Sequence, residues 1–172
     1  MYQEAAREVG RLLGHRGITL VYGGGHVGLM GVVADACLDE GGRVVGVIPQ
    51  ALADKEAAHR GLTELRVVGS MHERKAVMAE LADAFMALPG GFGTWDETFE
   101  ALTWSQLGIQ NKVCGLLNVN GYYDSMIAMV DRAVAEGFIR DPHRQLLLSA
   151  ADVGPLLDRL NRARPRAECS SS

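Results

Sequence analysis

No stretch of this chain approaches the roughly 18 consecutive apolar residues that mark a bilayer-spanning helix. Its start, Met1-Tyr2-Gln3-Glu4, has neither the basic nor the apolar region of a signal peptide. Together these absences predict a cytoplasmic protein with no membrane partner. Cysteine is scarce: Cys37, Cys114 and Cys169 are odd in number and far apart, two in apolar surroundings and one in the polar tail. That pattern predicts buried thiols rather than a disulfide or a metal site. Excess charge is missing as well, and a net charge of −4 gives no electrostatic case for binding nucleic acid or an anionic membrane surface. His26, His59, His72 and His143 are scattered without a ligand spacing such as H-E-x-x-H, so no metal is expected. Ser105 and Ser149 lack a nucleophile elbow and no cysteine sits in a His-paired motif, which leaves acyl transfer without support.

What is present is an ordinary globular composition, 48% hydrophobic and 22% charged, over 172 residues. This length suits one well-buried core, and a single domain is expected over 1–160, with a polar, serine-ended, disordered tail over 161–172. Short apolar runs alternate with helical stripes. Ala5, Val9, Leu12 and Leu13 stripe a first helix over 4–15, closed by Gly17, and Ile18 to Tyr22 is a strand. After a glycine loop, a helix runs from Leu29 to Gly41, then a strand from Arg43 to Ile48. Gln50 to Gly61 is polar and mixed, a long loop or short helix at a functional edge. A strand over 63–68 precedes a helix announced by Ser70 and Glu73, spaced as a capping box. Strands over 84–88, 112–117 and 145–149 and helices over 95–107, 122–136 and 153–160 complete the order. Such alternation implies parallel pairing through right-handed crossovers, a doubly wound α/β fold.

Two glycine clusters stand at strand-to-helix junctions. Gly23-Gly24-Gly25-His26-Val27-Gly28 satisfies G-x-G-x-x-G in form. A dinucleotide site also wants an acidic residue at the end of the next strand, and here that strand runs into Pro49 and Gln50. A tight turn or a mononucleotide phosphate or ribose contact explains the cluster better than NAD(P). The second cluster is Pro89-Gly90-Gly91-Phe92-Gly93-Thr94-Trp95-Asp96-Glu97. Bare backbone N–H groups at the positive end of a helix suit it to hold an anion. Thr94 and Glu97 have capping-box spacing, so Glu97 reads equally as a cap or as a catalytic carboxylate. Arg74 and Lys75, adjacent on a helix otherwise apolar at Met71, Val77, Met78 and Leu81, read alone as a solvated charged face.

Taken together, Val21-Tyr22-Gly23-Gly24-Gly25 with Gly28-Leu29-Met30-Gly31, Met71-His72-Glu73-Arg74-Lys75, and Pro89 to Glu97 closely resemble the LOG family of cytokinin riboside 5′-monophosphate phosphoribohydrolases, often mislabelled as lysine decarboxylases. Both family signatures, P-G-G-x-G-T-x-x-E and M-H-x-R-K, are complete and in order, and similarity runs on through Thr103 to Gly108 and Leu116 to Tyr123. The resemblance implies hydrolysis of the N-glycosidic bond of a nucleoside 5′-monophosphate, with no cofactor, to a free base and ribose 5-phosphate. It makes Glu97 and Arg74 the catalytic residues. Arg74 would hold phosphate or sugar oxygens or polarise the leaving base, and these roles stay open. Substrate contacts are implied at Gly90, Gly91, Phe92, Gly93, Thr94, Trp95 and Asp96, with Gly24 and Gly25, and additionally at Lys75, Glu56 and Thr103. A homodimer with shared active sites is also implied, to which Trp95, Phe99 and Trp104 are suited, though they fit a core equally well.

Family members begin with a strand ending in a Gly-Ser-Ser loop, whereas this chain starts inside the matching first helix. The expected fold is therefore a Rossmann-like doubly wound parallel sheet with helices on both faces, lacking the family's first strand. A central strand so lost would expose backbone edges and remove that loop's phosphate contacts. A misplaced start codon or truncation, or a degenerate copy, would account for it. The alternative function is a non-catalytic nucleotide or molybdenum-cofactor carrier of the same fold group; a dehydrogenase is a distant third.

Overall fold

The computed structural model describes residues 1–53 and 58–163, so Glu56 and the tail beyond 163 lie outside the described residues. Two compact units divide the chain, Met1–Ala82 and Asp83–Ser172.

The first unit opens with α1, Tyr2–His15, and β1, Leu20–Tyr22. It continues with α2, Leu29–Asp39, β2, Val44–Pro49, the short α3, Gln50–Ala53, β3, Glu64–Val68, and α4, Met71–Leu81. Its strands lie parallel in the order β1-β2-β3, with Tyr22 beside Gly46 and Gly46 beside Leu65. All six residues of β2 are buried, which is why the sequence there is a continuous apolar run and not an alternation. Helices α1 and α2 press together through glycine: a Cβ on Gly10 would come within 2.4 Å of the Val33 carbonyl, and one on Gly14 within 2.6 Å of the Glu40 Cβ. At the far edge, the Glu64 carboxylate accepts from Arg66 and from Arg43, each at 2.6 Å. The Arg66 hydrogen bond, above all, holds its carboxyl below the usual range.

The second unit runs β4, Phe85–Ala87, α5, Phe92–Gln106, β5, Cys114–Leu117, a 3-10 turn at Val119–Gly121, α6, Asp124–Ala135, α7, Asp141–Arg144, β6, Leu147–Ala150, and α8, Val153–Arg162. Its strands are again parallel, in the order β4-β5-β6. The core joins Ala87, Ala101, Cys114, Leu116, Tyr123, Val130 and Leu147, with Trp95 and Phe99 packed against it. Those two aromatics therefore serve the core. Cys37 and Cys114 are buried free thiols, as expected, and burial pushes Cys114 up to about 12.

Several boundaries differ from expectation. Helix α5 begins at Phe92, not Trp95, because the Trp95 N–H already reaches the Gly91 carbonyl at 3.1 Å. Helix α8 runs to Arg162, past the start expected for the tail. The four-residue α7, with its early proline, was too short to show a period. No helix among the described residues is long and apolar enough to cross a membrane.

Candidate active site

Each unit carries one glycine loop at the carboxyl end of its first strand, the edge at which open α/β sheets hold ligands. In the first unit the loop after β1 is shaped by demands of the chain itself. Gly24 and Gly28 have φ of 75° and 73°, left-handed values that favour glycine. A Cβ on Gly31 would lie 2.0 Å from the His26 carbonyl oxygen, and one on Gly23 would lie 1.8 Å from Nη2 of Arg74. The Arg74 guanidinium thus lies over the first glycine of the loop.

What aims Arg74 is the capped start of α4. Ser70 Oγ accepts the Glu73 N–H at 3.1 Å, and Glu73 Oε2 accepts the Gly69 N–H at 2.7 Å. The expected capping box is present, with its return arm one residue earlier than usual. Arg74 and its neighbour Lys75 are both half-buried, so the solvated-face reading of this pair does not describe them.

The loop is braced from the far side by His59, which sequence reasoning passed over. Its backbone N–H donates to the Gly24 carbonyl at 3.1 Å, and its Nδ1 accepts the Gly61 N–H at 3.1 Å. Nε2 therefore carries the ring proton and donates to Asp35 Oδ1 at 2.7 Å. His26 packs edge-on against the same ring, with centroids 4.7 Å apart. His26, Asp35 and His59 have ligand atoms within 4.8 Å of one another; the Gly61 N–H facing Nδ1 leaves the ring proton on Nε2, which favours the hydrogen bond to Asp35 over metal ligation. No local spacing could have announced this group, since Asp35 and His59 stand 24 residues apart. Beside it, Tyr22 is buried, its hydroxyl has no hydrogen-bond partner among the described residues, and burial, helped by the charge of Asp35, raises its pKa.

In the second unit the loop after β4 leads into α5 with Gly91 as N-cap and no side chain capping it. Thr94 is therefore the third residue inside the helix, and Glu97 the sixth. The capping-box reading of that pair fails on position, because the box must start at the N-cap. Gly90 is required locally, as a Cβ there would meet Thr94 Oγ1 at 2.3 Å. Gly91 and Gly93 are different. Neither has a positive φ, and a Cβ on either would meet nothing within 4 Å among the described residues.

Glu97 is half-buried, Asp96 exposed, and Phe92 is 85% exposed with its ring edge-on to Trp95 at 5.4 Å. The Trp95 indole N–H is buried without a partner among the described residues. Thr103 stands apart from this group: its hydroxyl donates to the Phe99 carbonyl at 2.7 Å, about 9 Å along the helix axis from Glu97 at 1.5 Å per residue.

Fold and loops together define a doubly wound α/β protein with anion-shaped strand-to-helix turns. Solved structures agree on the fold. The molybdenum cofactor carrier protein of Chlamydomonas reinhardtii superposes with a TM-score of 0.70 at 21% identity, covering 94% of this chain and 87% of that one. The molybdenum cofactor binding protein of Rippkaea orientalis gives 0.68 at 16%, covering 94% and 86%. At the level of sequence, residues 30–160 match the family model described as possible lysine decarboxylase. A probable cytokinin riboside 5′-monophosphate phosphoribohydrolase of Oryza sativa subsp. japonica is 55% identical over 92% of this chain and 70% of its own length. A second rice protein, named as the cytokinin riboside 5′-monophosphate phosphoribohydrolase itself, is 50% identical over 97% and 69%. That of Rhodococcoides fascians is 54% identical over 88% and 77%. The chain belongs to the LOG family.

Proposed function

We propose that this protein hydrolyses the N-glycosidic bond of a nucleoside 5′-monophosphate, a cytokinin riboside 5′-monophosphate or AMP, to a free base and ribose 5-phosphate. The observation that carries the reading is the bareness of Gly91 and Gly93, glycines that neither backbone conformation nor neighbouring atoms of the described chain require. Close approach of a ligand to the backbone is the remaining use for such glycines. Phosphate oxygens there take the free N–H groups of the first turn of α5 and the Thr94 hydroxyl. Gly90 closes the loop, and Phe92, Trp95 and Asp96 flank it.

Anchoring the phosphate orients a reacting centre that the phosphate does not itself touch. As the C1′–N bond breaks, positive charge builds on the sugar, and the Glu97 carboxylate stabilises it. Water adds its oxygen to C1′, and the proton it releases balances the one taken up by the departing base. Arg74, a permanent cation lying over Gly23, grips ligand oxygens at the first glycine loop beside Gly24 and Gly25, with Lys75 next to it. Glu56 and Thr103 are additional substrate contacts. The working form is a cytoplasmic homodimer; the exposed Leu107 and Ile109 just past α5, at 65% and 67%, support a surface covered by a second copy.

Incubation with AMP and with isopentenyl-type AMP, followed by chromatography, should reveal free base and ribose 5-phosphate in equal amounts. Failure of every nucleoside monophosphate to release base would sink the reading, and recovery of intact bound ligand would favour a carrier. Glu97→Gln should lower turnover by at least about 100-fold while leaving the melting temperature near that of the parent.

A further inference from the structure

Two consecutive tyrosines hold the second glycine loop. Tyr123, 1% exposed, donates its hydroxyl to the Leu88 carbonyl at 2.5 Å, and Tyr122 donates to the Gly90 carbonyl at 2.5 Å. The two rings meet edge to face, with centroids 4.9 Å apart. They therefore grip the chain on both sides of Pro89. Because the Gly90–Gly91 peptide bond is trans, the Gly90 carbonyl and the Gly91 N–H lie in one plane and point in opposite directions. A hydroxyl that fixes the carbonyl also fixes the N–H.

We infer that Tyr122 is a positioning residue for the phosphate grip: by holding the Gly90 carbonyl it aims the Gly91 N–H away from itself and towards the bound anion. This rests on the function proposed above. Gly91 has no side chain to steer its peptide, and a Cβ there would meet nothing within 4 Å among the described residues. Without an external hold, such a peptide samples both orientations, and only one offers the N–H to a phosphate. Gly91 is the N-cap of α5, so the N–H being aimed stands beside those of the helix's first turn.

Tyr122 is itself anchored, which a positioning role requires. The 3-10 turn before it holds Asn120 at φ 54° and Gly121 at φ 68°, and Asn118 ties the turn together. Asn118 accepts the Tyr123 N–H at 2.7 Å through Oδ1, donates to Asp124 Oδ1 at 2.7 Å through Nδ2, and donates its backbone N–H to the Ala150 carbonyl at 2.8 Å. That last bond fastens the turn to the end of β6. The hold on the glycine loop thus originates in the sheet of its own unit, and Tyr122 still keeps 37% of its surface exposed.

Tyr122→Phe removes one hydroxyl and keeps the ring. AMP hydrolysis is measured with ribose 5-phosphate and adenosine as separate inhibitors, each representing one half of the substrate. The KM for AMP and the inhibition constant for ribose 5-phosphate should both rise about three- to tenfold, the range of one neutral hydrogen bond. The constant for adenosine should change less than twofold. A merely structural role would weaken both inhibitors alike, and that result, or no change in either, overturns the inference. Tyr123→Phe serves as the contrast: it should lower the melting temperature and spare the ratio of the two inhibition constants. Should the parent protein release no base, the proposed function fails on its own account. Calorimetric titration of ribose 5-phosphate into the parent and Tyr122→Phe then decides the inference, and equal affinities, or no binding to the parent, overturn it.

Discussion

The two glycine loops occupy equivalent places in their units, yet their glycines are there for opposite reasons. In the loop after β1 and the first turn of α2, Gly24 and Gly28 are required by φ, Gly23 by Arg74 and Gly31 by the His26 carbonyl. In the loop after β4 and the first turn of α5, Gly91 and Gly93 are required by nothing within the described chain. The first loop is built to fold and to place a cation; the second leaves backbone uncovered. A glycine-rich string in a sequence does not distinguish these, because both look like flexibility when written as letters. Each loop also has its own brace, His59 with Asp35 for the first and Tyr122 with Tyr123 for the second.

Substitution by alanine is the direct way to break this contrast. Gly23→Ala should have the largest effect, since its Cβ would sit where the Arg74 guanidinium now lies. The long side chain can swing away, so on the role proposed for Arg74 the expected loss is of activity, about 100-fold, with thermal stability close to the parent's in a melting curve. Gly31→Ala meets a backbone oxygen that cannot swing away. Urea unfolding should show a loss of about 1 to 3 kcal/mol. Gly91→Ala, a change at the N-cap of α5 that meets no neighbouring atom among the described residues, should cost less than about 1 kcal/mol in the same measurement, while weakening ribose 5-phosphate. A Gly91→Ala variant that unfolds as readily as Gly31→Ala would erase the distinction between the loops.

A smaller effect concerns pH. Burial raises the pKa values of Tyr22 and Tyr123, with the Asp35 charge adding to the first and Tyr122 to the second. Above the unfolded tyrosine value of about 10, the unfolded chain loses protons that the folded chain keeps. Stability from these groups is thus complete below that pH and declines as pH rises past it, by at most about 1.4 kcal/mol per pH unit for each tyrosine. Urea midpoints measured between pH 9 and 11 should fall, and Tyr123→Phe should flatten the second unit's share of the slope.

Much of the fold was legible because periodicity is a local signal. The six strands among the described residues and the longer helices fall where apolar runs and stripes placed them, and the Ser70 cap of α4 was readable from spacing. The start of α5 was not, since glycines that look like loop were drawn into the helix through the Gly91 carbonyl. For the site, the motif residues could be singled out from the string, but the use of Glu97 could not. Thr94 and Glu97 kept the cap alternative open until the helix start moved to Phe92 and placed both inside the helix. Asp35 with His59 and Tyr122 with Gly90 were invisible, being separated by 24 and 32 residues and joined by single side-chain hydrogen bonds.

By itself the sequence determined the α/β class, the order of elements and the family, because alternating periods and ordered motifs survive in one dimension. Tertiary structure alone decided which glycines the chain itself requires and which it leaves bare, where Arg74 lies, and what holds each loop in place. The physical reason is that a Cβ clash, a peptide's direction and a hydrogen bond between distant residues are properties of space, set only when the strands have paired and their helices have packed.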